Sequence, residues 1–220
     1  MLTIACVLKS GRFARGVYQD GYTPDDVGRL KVMVQDNLSF KHRFVCFSDV
    51  DVPCERIPLK HGWPGWWSKI ELFSETFDDT VVFFDLDTVI AGNLDDMVLY
   101  PHKFTMLRDF GSAGVPNSGL MAWKGDYRHI YETYAANDNL YRKTFIAPPK
   151  IGDQAYIVSV ENPVNFWQDL FPQQVFSYKK HCMGKLKPEN ARVVCFHGVP
   201  KGAGSTGWVK EIWSNSNGRW

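Results

Sequence analysis

One segment decides the fold of this chain: Val81-Val82-Phe83-Phe84-Asp85-Leu86-Asp87-Thr88-Val89-Ile90. Its first four residues are β-branched or aromatic, a run that is typical of a strand covered on both faces in an α/β sheet. Ligands of open α/β sheets bind just beyond the carboxyl ends of the strands. Asp85 and Asp87 follow the apolar run at that place. The segment therefore predicts an α/β fold whose functional site contains both carboxylates.

Two carboxylates separated by one residue can turn toward a single point where a strand ends. Hard oxygen donors of this kind favour Mn²⁺ or Mg²⁺ bound to phosphate oxygens. The Asp-x-Asp pattern also occurs by chance on solvated turns, so the pair alone leaves both interpretations open.

The length and the net charge of the chain limit the classes of function. The chain has 220 residues and a mass of 25.2 kDa, which predicts one domain over residues 1–220 with a substantial core. The net charge is +1, so the chain has neither the basic field of a nucleic-acid-binding protein nor an acidic tail. We therefore expect no nucleic-acid partner.

Cysteine usage and hydropathy predict a soluble, cytoplasmic protein. The five cysteines are an odd number without a C-x-x-C pair, which argues against a disulfide framework or a zinc site and favours reduced thiols. No window approaches 18 uninterrupted apolar residues, and the N-terminus enters an apparent strand without a basic region. We therefore expect no transmembrane segment.

Further strands are predicted over residues 2–8, 44–47, 104–109, 117–123 and 192–196. A helix is predicted to begin at Thr23-Pro24, where a hydroxyl cap precedes a proline and two acidic residues. Arg12 or Arg15 after the first strand are candidates for a phosphate contact, and a solvated loop is the equal alternative. Asp49 after the second strand is a candidate for a ribose or base contact, although a turn role is favoured.

The segment 84–97 resembles the DxD region of family 8 of the GT-A glycosyltransferases, the glycogenin-like and bacterial galactosyltransferase-like enzymes. In that family an apolar strand, a small polar turn and an acidic helix start follow the two aspartates, and this sequence has all three. The resemblance implies a GT-A-type domain with a mixed, mostly parallel sheet flanked by helices, a Rossmann-like nucleotide-sugar fold.

Two more motifs carry the resemblance. Residues 117–119 resemble the family's Asn-Ser-Gly strand entry, and residues 152–154 resemble its Gly-Asp-Gln helix start. The resemblance implies that Asp109 and Asn117 bind donor-sugar hydroxyls, and that Asp153 and Gln154 lie beside the anomeric carbon. The competing explanations are an Asx-turn for Asn117 and a favourable charge at a helix N-terminus for Asp153.

The remaining candidates are cations and a histidine. The resemblance implies that Lys69 contacts the donor's phosphates or sugar, with an ordinary surface lysine as the alternative. It also implies that His197 is the third metal ligand, that Gly198 lets the backbone approach the phosphates, and that Lys201 binds the diphosphate. The sequence departs from the family here, because His197 and Lys201 are closer together than usual and Gly202 follows the lysine.

The predicted function is a metal-dependent glycosyltransferase, a hexosyltransferase using Mn²⁺ or Mg²⁺. It moves a sugar from a nucleotide sugar to the hydroxyl of an unknown acceptor, a glycan or another molecule. The resemblance implies a UDP-sugar donor and retention at the anomeric centre. The alternatives are a non-catalytic protein that binds nucleotide sugars or carbohydrates, and a sugar nucleotidyltransferase. The latter is disfavoured because Gly11 stands almost alone after the first strand, where a Gly-rich basic loop is needed.

Overall fold

The computed structural model describes residues 1–11, 21–112, 114–147 and 150–220. Arg12 and Arg15 lie outside the described residues, so their predicted phosphate contact stays a prediction.

The strands, in chain order, are β1 (Thr3–Leu8), β2 (Arg43–Ser48), β3 (Glu55–Pro58), β4 (Val81–Phe84), β5 (Val89–Ile90), β6 (Phe104–Arg108), β7 (Pro116–Trp123), β8 (Ile146–Ala147), β9 (Lys150–Ile151), β10 (Asn165–Phe166), β11 (Val175–Ser177) and β12 (Val193–Cys195). The α-helices are α1 (Pro24–Asn37), α2 (Asp95–Leu99), α3 (Arg128–Ala136), α4 (Asp138–Thr144), α5 (Gly152–Val160), α6 (Trp167–Leu170) and α7 (Gly207–Asn215). Two 3₁₀ helices cover Gly65–Ser74 and Gly202–Gly204, and a short π-helix covers Tyr178–Cys182.

A seven-stranded sheet in the order β10-β6-β7-β4-β1-β2-β3 forms the centre of the fold. Its neighbours are parallel except around β7, which runs antiparallel to both β4 and β6. A second sheet has the order β11-β12-β5, and β8 pairs with β9. The mixed, mostly parallel sheet flanked by helices confirms the predicted α/β fold class.

Strand β4 is buried on both faces, as its composition predicts, with all four residues at most 1% exposed. Alternate side chains of a strand point to opposite faces. Val82 and Phe84 pack with the cluster that includes Leu30 of α1, whereas Val81 and Phe83 pack with the cluster that includes Phe73 of the first 3₁₀ helix. Burial of each such side chain stabilises the fold by about 1.5–3 kcal/mol, so β4 fixes the start of the following turn firmly.

Helix α1 begins as predicted. Pro24 is its first residue, and the Asp26 carboxylate accepts a hydrogen bond from the Thr23 backbone amide at 2.8 Å. Gly28 lies within the helix, where a Cβ atom would come within 2.2 Å of the Trp220 ring. The glycine therefore allows the end of the chain to pack directly on α1.

The Gly-rich segment after Lys201 packs on helix α7. Gly202 is buried, and a Cβ atom there would lie 2.5 Å from the Trp213 ring. The segment forms a 3₁₀ turn over Gly202–Gly204, and α7 begins at Gly207. Glycine at position 202 therefore allows the close approach of the Trp213 ring.

Across the described ranges, none of the helices combines the length and apolar character needed to cross a bilayer.

Candidate functional site

The two aspartates of the Asp-x-Asp pattern lie in a turn that joins the two sheets. The Asp85 amide donates to the Gly119 carbonyl at 3.0 Å, and the Thr88 amide donates to the Asp85 carbonyl at 2.9 Å. The chain then enters β5, which pairs with β12 of the small sheet. The Asp85 side chain is 35% exposed, whereas Asp87 is buried. The turn therefore presents one carboxylate to solvent and holds the other inside.

This turn borders a cavity to which both sheets contribute. Its polar lining includes Asp85, Asp87, Asp109, Asn117 and His197. The structure thus brings together five of the residues that the sequence singles out, although they come from distant parts of the chain.

Lys69 is the buried cation of the site. Its Nζ atom lies 3.1 Å from Asp85 Oδ1 and 3.1 Å from Asp153 Oδ2, and it donates to Ser118 Oγ at 3.2 Å. Ser118 in turn donates to Asp153 Oδ2 at 2.6 Å. Burial alone would lower the pKa of Lys69, but Asp153 and Asp85 outweigh it and raise the pKa above its usual value. Lys69 is therefore a charged, buried residue rather than a surface lysine.

Asp153 lies in the first turn of α5 and is 5% exposed. The negative charge of Asp153 interacts favourably with the N-terminus of α5, as its position in the sequence predicts. Its ion pair with Lys69 shows that it also joins α5 to the turn after β4.

Asp87 is held by two residues from opposite ends of the chain. Its Oδ2 atom lies 2.6 Å from Lys201 Nζ and accepts a hydrogen bond from the Tyr22 hydroxyl at 2.8 Å. Burial and the nearby Asp87 charge raise the pKa of Tyr22, so the phenol stays protonated and donates. Sequence reasoning missed Tyr22. The sequence identifies Tyr22 only as a polar aromatic residue directly before Thr23, the cap of α1.

Asp109, Asn117 and Gln154 form a second polar group in the cavity region. Asn117 Nδ2 lies 3.0 Å from Gln154 Oε1 and 3.3 Å from Asp109 Oδ2. Asn117 Oδ1 accepts from the Gly119 amide at 2.9 Å, which is the Asx-type contact weighed from the sequence. Asn117 therefore shapes the entry of β7 while its amide nitrogen faces the site.

His197 follows β12 and lines the same cavity as Asp85 and Asp87. Its Nε2 atom lies 2.7 Å from Ser177 Oγ, and its ring stacks on Phe110 with 6.3 Å between centroids. Burial, and then the charge of Lys179, lower the pKa of His197. The neutral imidazole that results is the form that binds metals. Gly198 follows with φ of +65°, a conformation that favours glycine.

The donor set has the right chemistry for a hard or borderline divalent cation, because two carboxylates and a neutral imidazole line one cavity. The side chains are not arranged as ligands, however. In the parts of the chain that the structure describes, no three His, Cys, Asp or Glu side chains form a group able to hold a metal ion. Lys201 instead provides the positive charge next to Asp87. Cation binding therefore requires these side chains to rearrange.

Asp49, for which the sequence favours a turn role, contacts Lys9 and Ser10 just after β1. It accepts hydrogen bonds from the Ser10 amide at 2.8 Å and from the Ser10 hydroxyl at 2.6 Å, and it pairs with Lys9. Partial burial opposes ionisation, but these contacts lower the pKa of Asp49 to about 2. Asp49 thus fastens the end of β1 to the end of β2.

No family model matches this sequence, and no curated protein matches it either. Solved structures do match. An active-site mutant of LgtC is 12% identical with a TM-score of 0.66, over 97% of this chain and 94% of LgtC. The galactosyltransferase LgtC in complex with donor and acceptor sugar analogs is 12% identical with a TM-score of 0.60, and the alignment covers 97% of this chain and 95% of LgtC.

The glycosyltransferase GlyE of Streptococcus pneumoniae TIGR4 is 13% identical with a TM-score of 0.68. The alignment covers 98% of this chain and 60% of GlyE. At these identities the similarity establishes the fold: the chain has the α/β fold of these glycosyltransferases.

Proposed function

We propose that this chain is a metal-dependent glycosyltransferase that moves a sugar from a nucleotide sugar to an acceptor hydroxyl. The observation that carries the proposal is the buried Lys69, which lies 3.1 Å from both Asp85 and Asp153. A buried charge is expensive unless it is paired, so residues that enclose one next to a cavity are candidates for function. The shared fold of the LgtC and GlyE glycosyltransferases supports the same conclusion.

The reaction needs positive charge where the leaving group forms. The bond between the anomeric carbon and the diphosphate oxygen breaks, and its electron pair leaves with the diphosphate. The acceptor oxygen bonds to the anomeric carbon, and its proton passes to the departing diphosphate oxygen. Lys69 and Lys201 are cations next to Asp85 and Asp87, and fixed charges of this kind stabilise developing negative charge. In this proposal Lys201 exchanges its contact with Asp87 for one with the diphosphate, and the backbone at Gly198 approaches the phosphates.

Asp85, Asp87 and His197 would hold the Mn²⁺ or Mg²⁺ ion. When bound, the ion supplies further positive charge at the diphosphate. The cavity that these three residues line together supports this choice of ligands.

Asp109, Asn117, Asp153 and Gln154 orient the donor sugar and the acceptor hydroxyl in this proposal. Their hydrogen bonds support it, because Asn117 joins Asp109 to Gln154 and Ser118 joins the same strand to Asp153. Groups fixed in this way hold reactants in a productive orientation at little entropic cost.

A UDP-hexose is the proposed donor, and retention is the proposed stereochemical outcome. Both rest on the resemblance of the motifs to family 8 enzymes. Residues 1–220 act as one domain in the cytoplasm in this proposal. Alignment of 97% of the chain with LgtC supports the first point, and four buried free thiols support a reducing compartment.

The test is nucleotide release from a panel of UDP- and GDP-sugars with Mn²⁺, with and without EDTA. We expect UDP from one sugar and loss of release on chelation. Release that persists in EDTA would contradict the metal role. Without release, calorimetry on the same panel decides: metal-dependent binding would indicate a binding protein that lacks turnover, and the absence of binding would refute the function. The variant Asp95→Asn, changed in the first residue of α2, whose carboxylate accepts hydrogen bonds from Ser39, is the matched control.

A further inference from the structure

We propose that residues 179–187, the basic loop, dock the protein on a membrane surface that carries anionic phospholipids. The sequence of the basic loop is Lys179-Lys180-His181-Cys182-Met183-Gly184-Lys185-Leu186-Lys187. It combines four lysines with two exposed apolar side chains, and none of its residues has a part in the proposed glycosyl transfer. Docking on a membrane goes beyond that function, and it can be measured without any substrate.

Neighbouring carboxylates do not neutralise the positive charge of the basic loop. Lys185 Nζ donates to the Lys180 carbonyl at 2.8 Å. Lys187 Nζ donates to the Ala91 carbonyl at 2.6 Å. Among the residues that the structure describes, none of the four lysines of the loop forms an ion pair with a carboxylate. The sequence from 178 to 191 contains one acidic residue, Glu189, so this stretch keeps a net positive charge.

The basic loop also exposes two apolar side chains. Leu186 is 91% exposed, and Met183 is 49% exposed. Single exposed apolar residues are common on protein surfaces, but Leu186 stands between Lys185 and Lys187. This pattern suits the boundary between lipid headgroups and acyl chains, where hydrocarbon side chains leave water while ammonium groups stay beside the phosphates.

The first half of the basic loop is held by the core. The Met183 amide donates to the Tyr178 carbonyl at 2.8 Å, and the Lys185 amide donates to the Cys182 carbonyl at 3.0 Å. Tyr178 and Cys182 are both buried. The tip with Leu186 is therefore presented to solvent from a folded base, and docking requires little further ordering of the chain.

The basic loop lies beside the candidate site. Lys180 Nζ donates to the Phe110 carbonyl, and Phe110 lines the cavity of the site. Ser177 precedes the loop by two positions, and its Oγ atom lies 2.7 Å from His197 Nε2. The proposed membrane surface thus adjoins the candidate site.

The apolar side chains favour a membrane over a nucleic acid as the partner. Both partners carry phosphates that attract lysine side chains. A bilayer also offers hydrocarbon in which Leu186 and Met183 can leave water, whereas a nucleic acid backbone does not. The net charge of the whole chain is +1, so the basic loop is a local feature rather than part of an extended basic field. We therefore expect docking to depend on both the lysines and Leu186.

The first experiment measures flotation of the protein with vesicles of phosphatidylcholine alone and with vesicles that also contain about 30% phosphatidylglycerol. We expect flotation with the anionic vesicles only. Raising NaCl from about 0.1 M to about 0.5 M should abolish it, because salt screens the attraction between lysines and headgroups. If the protein does not float with anionic vesicles at the lower salt concentration, the proposal is wrong.

The second experiment removes charge from the basic loop. We expect Lys185→Gln with Lys187→Gln to lower the partition onto anionic vesicles at least about tenfold, and glutamine keeps a donor for the carbonyl contacts. The matched control is Lys41→Gln with Lys103→Gln, because both lysines are exposed and precede β2 and β6, away from the loop. An equal loss of partition in the control would refute a role of this loop.

The third experiment removes the apolar tip. We expect Leu186→Ser to lower the partition at least about fivefold, because the hydrocarbon that enters the bilayer is lost. Phe40→Ser is the matched control, since Phe40 is 42% exposed and also precedes β2. A partition of Leu186→Ser equal to that of the unchanged protein would overturn the insertion of this residue.

A short DNA duplex with a fluorescent label separates a membrane from a nucleic acid as the partner. We expect no change in its anisotropy at the protein concentration that gives half-maximal binding to anionic vesicles. Binding of the duplex as tight as binding of the vesicles, and unaffected by Leu186→Ser, would overturn the membrane assignment.

Discussion

Replacing Lys69 with methionine tests whether this residue holds the site together. The substitution removes the ammonium group that pairs with Asp85 and Asp153 at 3.1 Å each, and it keeps most of the buried aliphatic stem. Asp85 and Asp153 then lose the cation that they share. We expect the variant to fold with reduced stability and to lose most UDP release.

The size of the effect follows from the burial of the partners. Removing one member of a buried ion pair costs about 3–5 kcal/mol. The Asp153 side chain is 8% exposed, but that of Asp85 is 35% exposed and is screened by solvent. We therefore expect a loss near the lower end, about 3 kcal/mol in the free energy of unfolding.

Urea unfolding at pH 7, followed by circular dichroism, measures this loss. The control is Lys60→Met, because Lys60 pairs with Glu75 at 2.7 Å but its side chain is 47% exposed. Such a surface pair contributes less than about 1 kcal/mol. The double variant Lys69→Met with Asp153→Asn should recover about 1 kcal/mol or more, since the substitutions act on one pair. A loss in Lys69→Met no larger than in the control would refute the burial argument.

Three other predictions concern the site, pH and the end of the chain. Asp87→Asn should lower metal-dependent UDP release at least about 100-fold with an unchanged circular dichroism spectrum, and full activity would remove the metal assignment. Burial lowers the pKa of His102 to about 4, so the unfolded chain binds more protons between pH 6.5 and 4. Stability should therefore fall by about 3 kcal/mol as the pH falls through this range, and urea midpoints of His102→Gln should lack that component. Gly28→Ala should destabilise the fold by about 1–3 kcal/mol despite the better helix propensity of alanine, because the added methyl group meets the Trp220 ring. In a chain that also carries Trp220→Ala, the same Gly28→Ala substitution should instead stabilise the fold, as measured by thermal unfolding.

The elements that the sequence predicts are those with local signals. Four apolar residues in a row predict strand β4, and a cap, a proline and acidic residues predict the start of α1. The strand ends that carry Asp85, Asp109 and His197 follow from the same apolar runs. These patterns depend on neighbours in sequence, which is why they can be interpreted before any tertiary contact is known.

The pairings within the site depend on distant residues and have no local signal. The sequence does not show that Lys69 joins Asp85 to Asp153, or that Tyr22 donates to Asp87. The sequence also does not show that β7 runs antiparallel to β4, because an apolar run fits a parallel or an antiparallel strand. A two-residue strand such as β5 is too short to show a period, so the second sheet could not be predicted.

The turn between β4 and β5 also has a consequence for the order in which the protein folds. Strand β4 pairs with β1 and β7, so six of the seven strands of the large sheet can assemble around it once residues up to Trp123 are available. Strand β5 must wait for β12, and the Lys201–Asp87 contact bridges 114 positions. Contacts of such long range form late because loop-closure entropy opposes them. On the ribosome, the chain would thus acquire its scaffold well before it acquires a complete site.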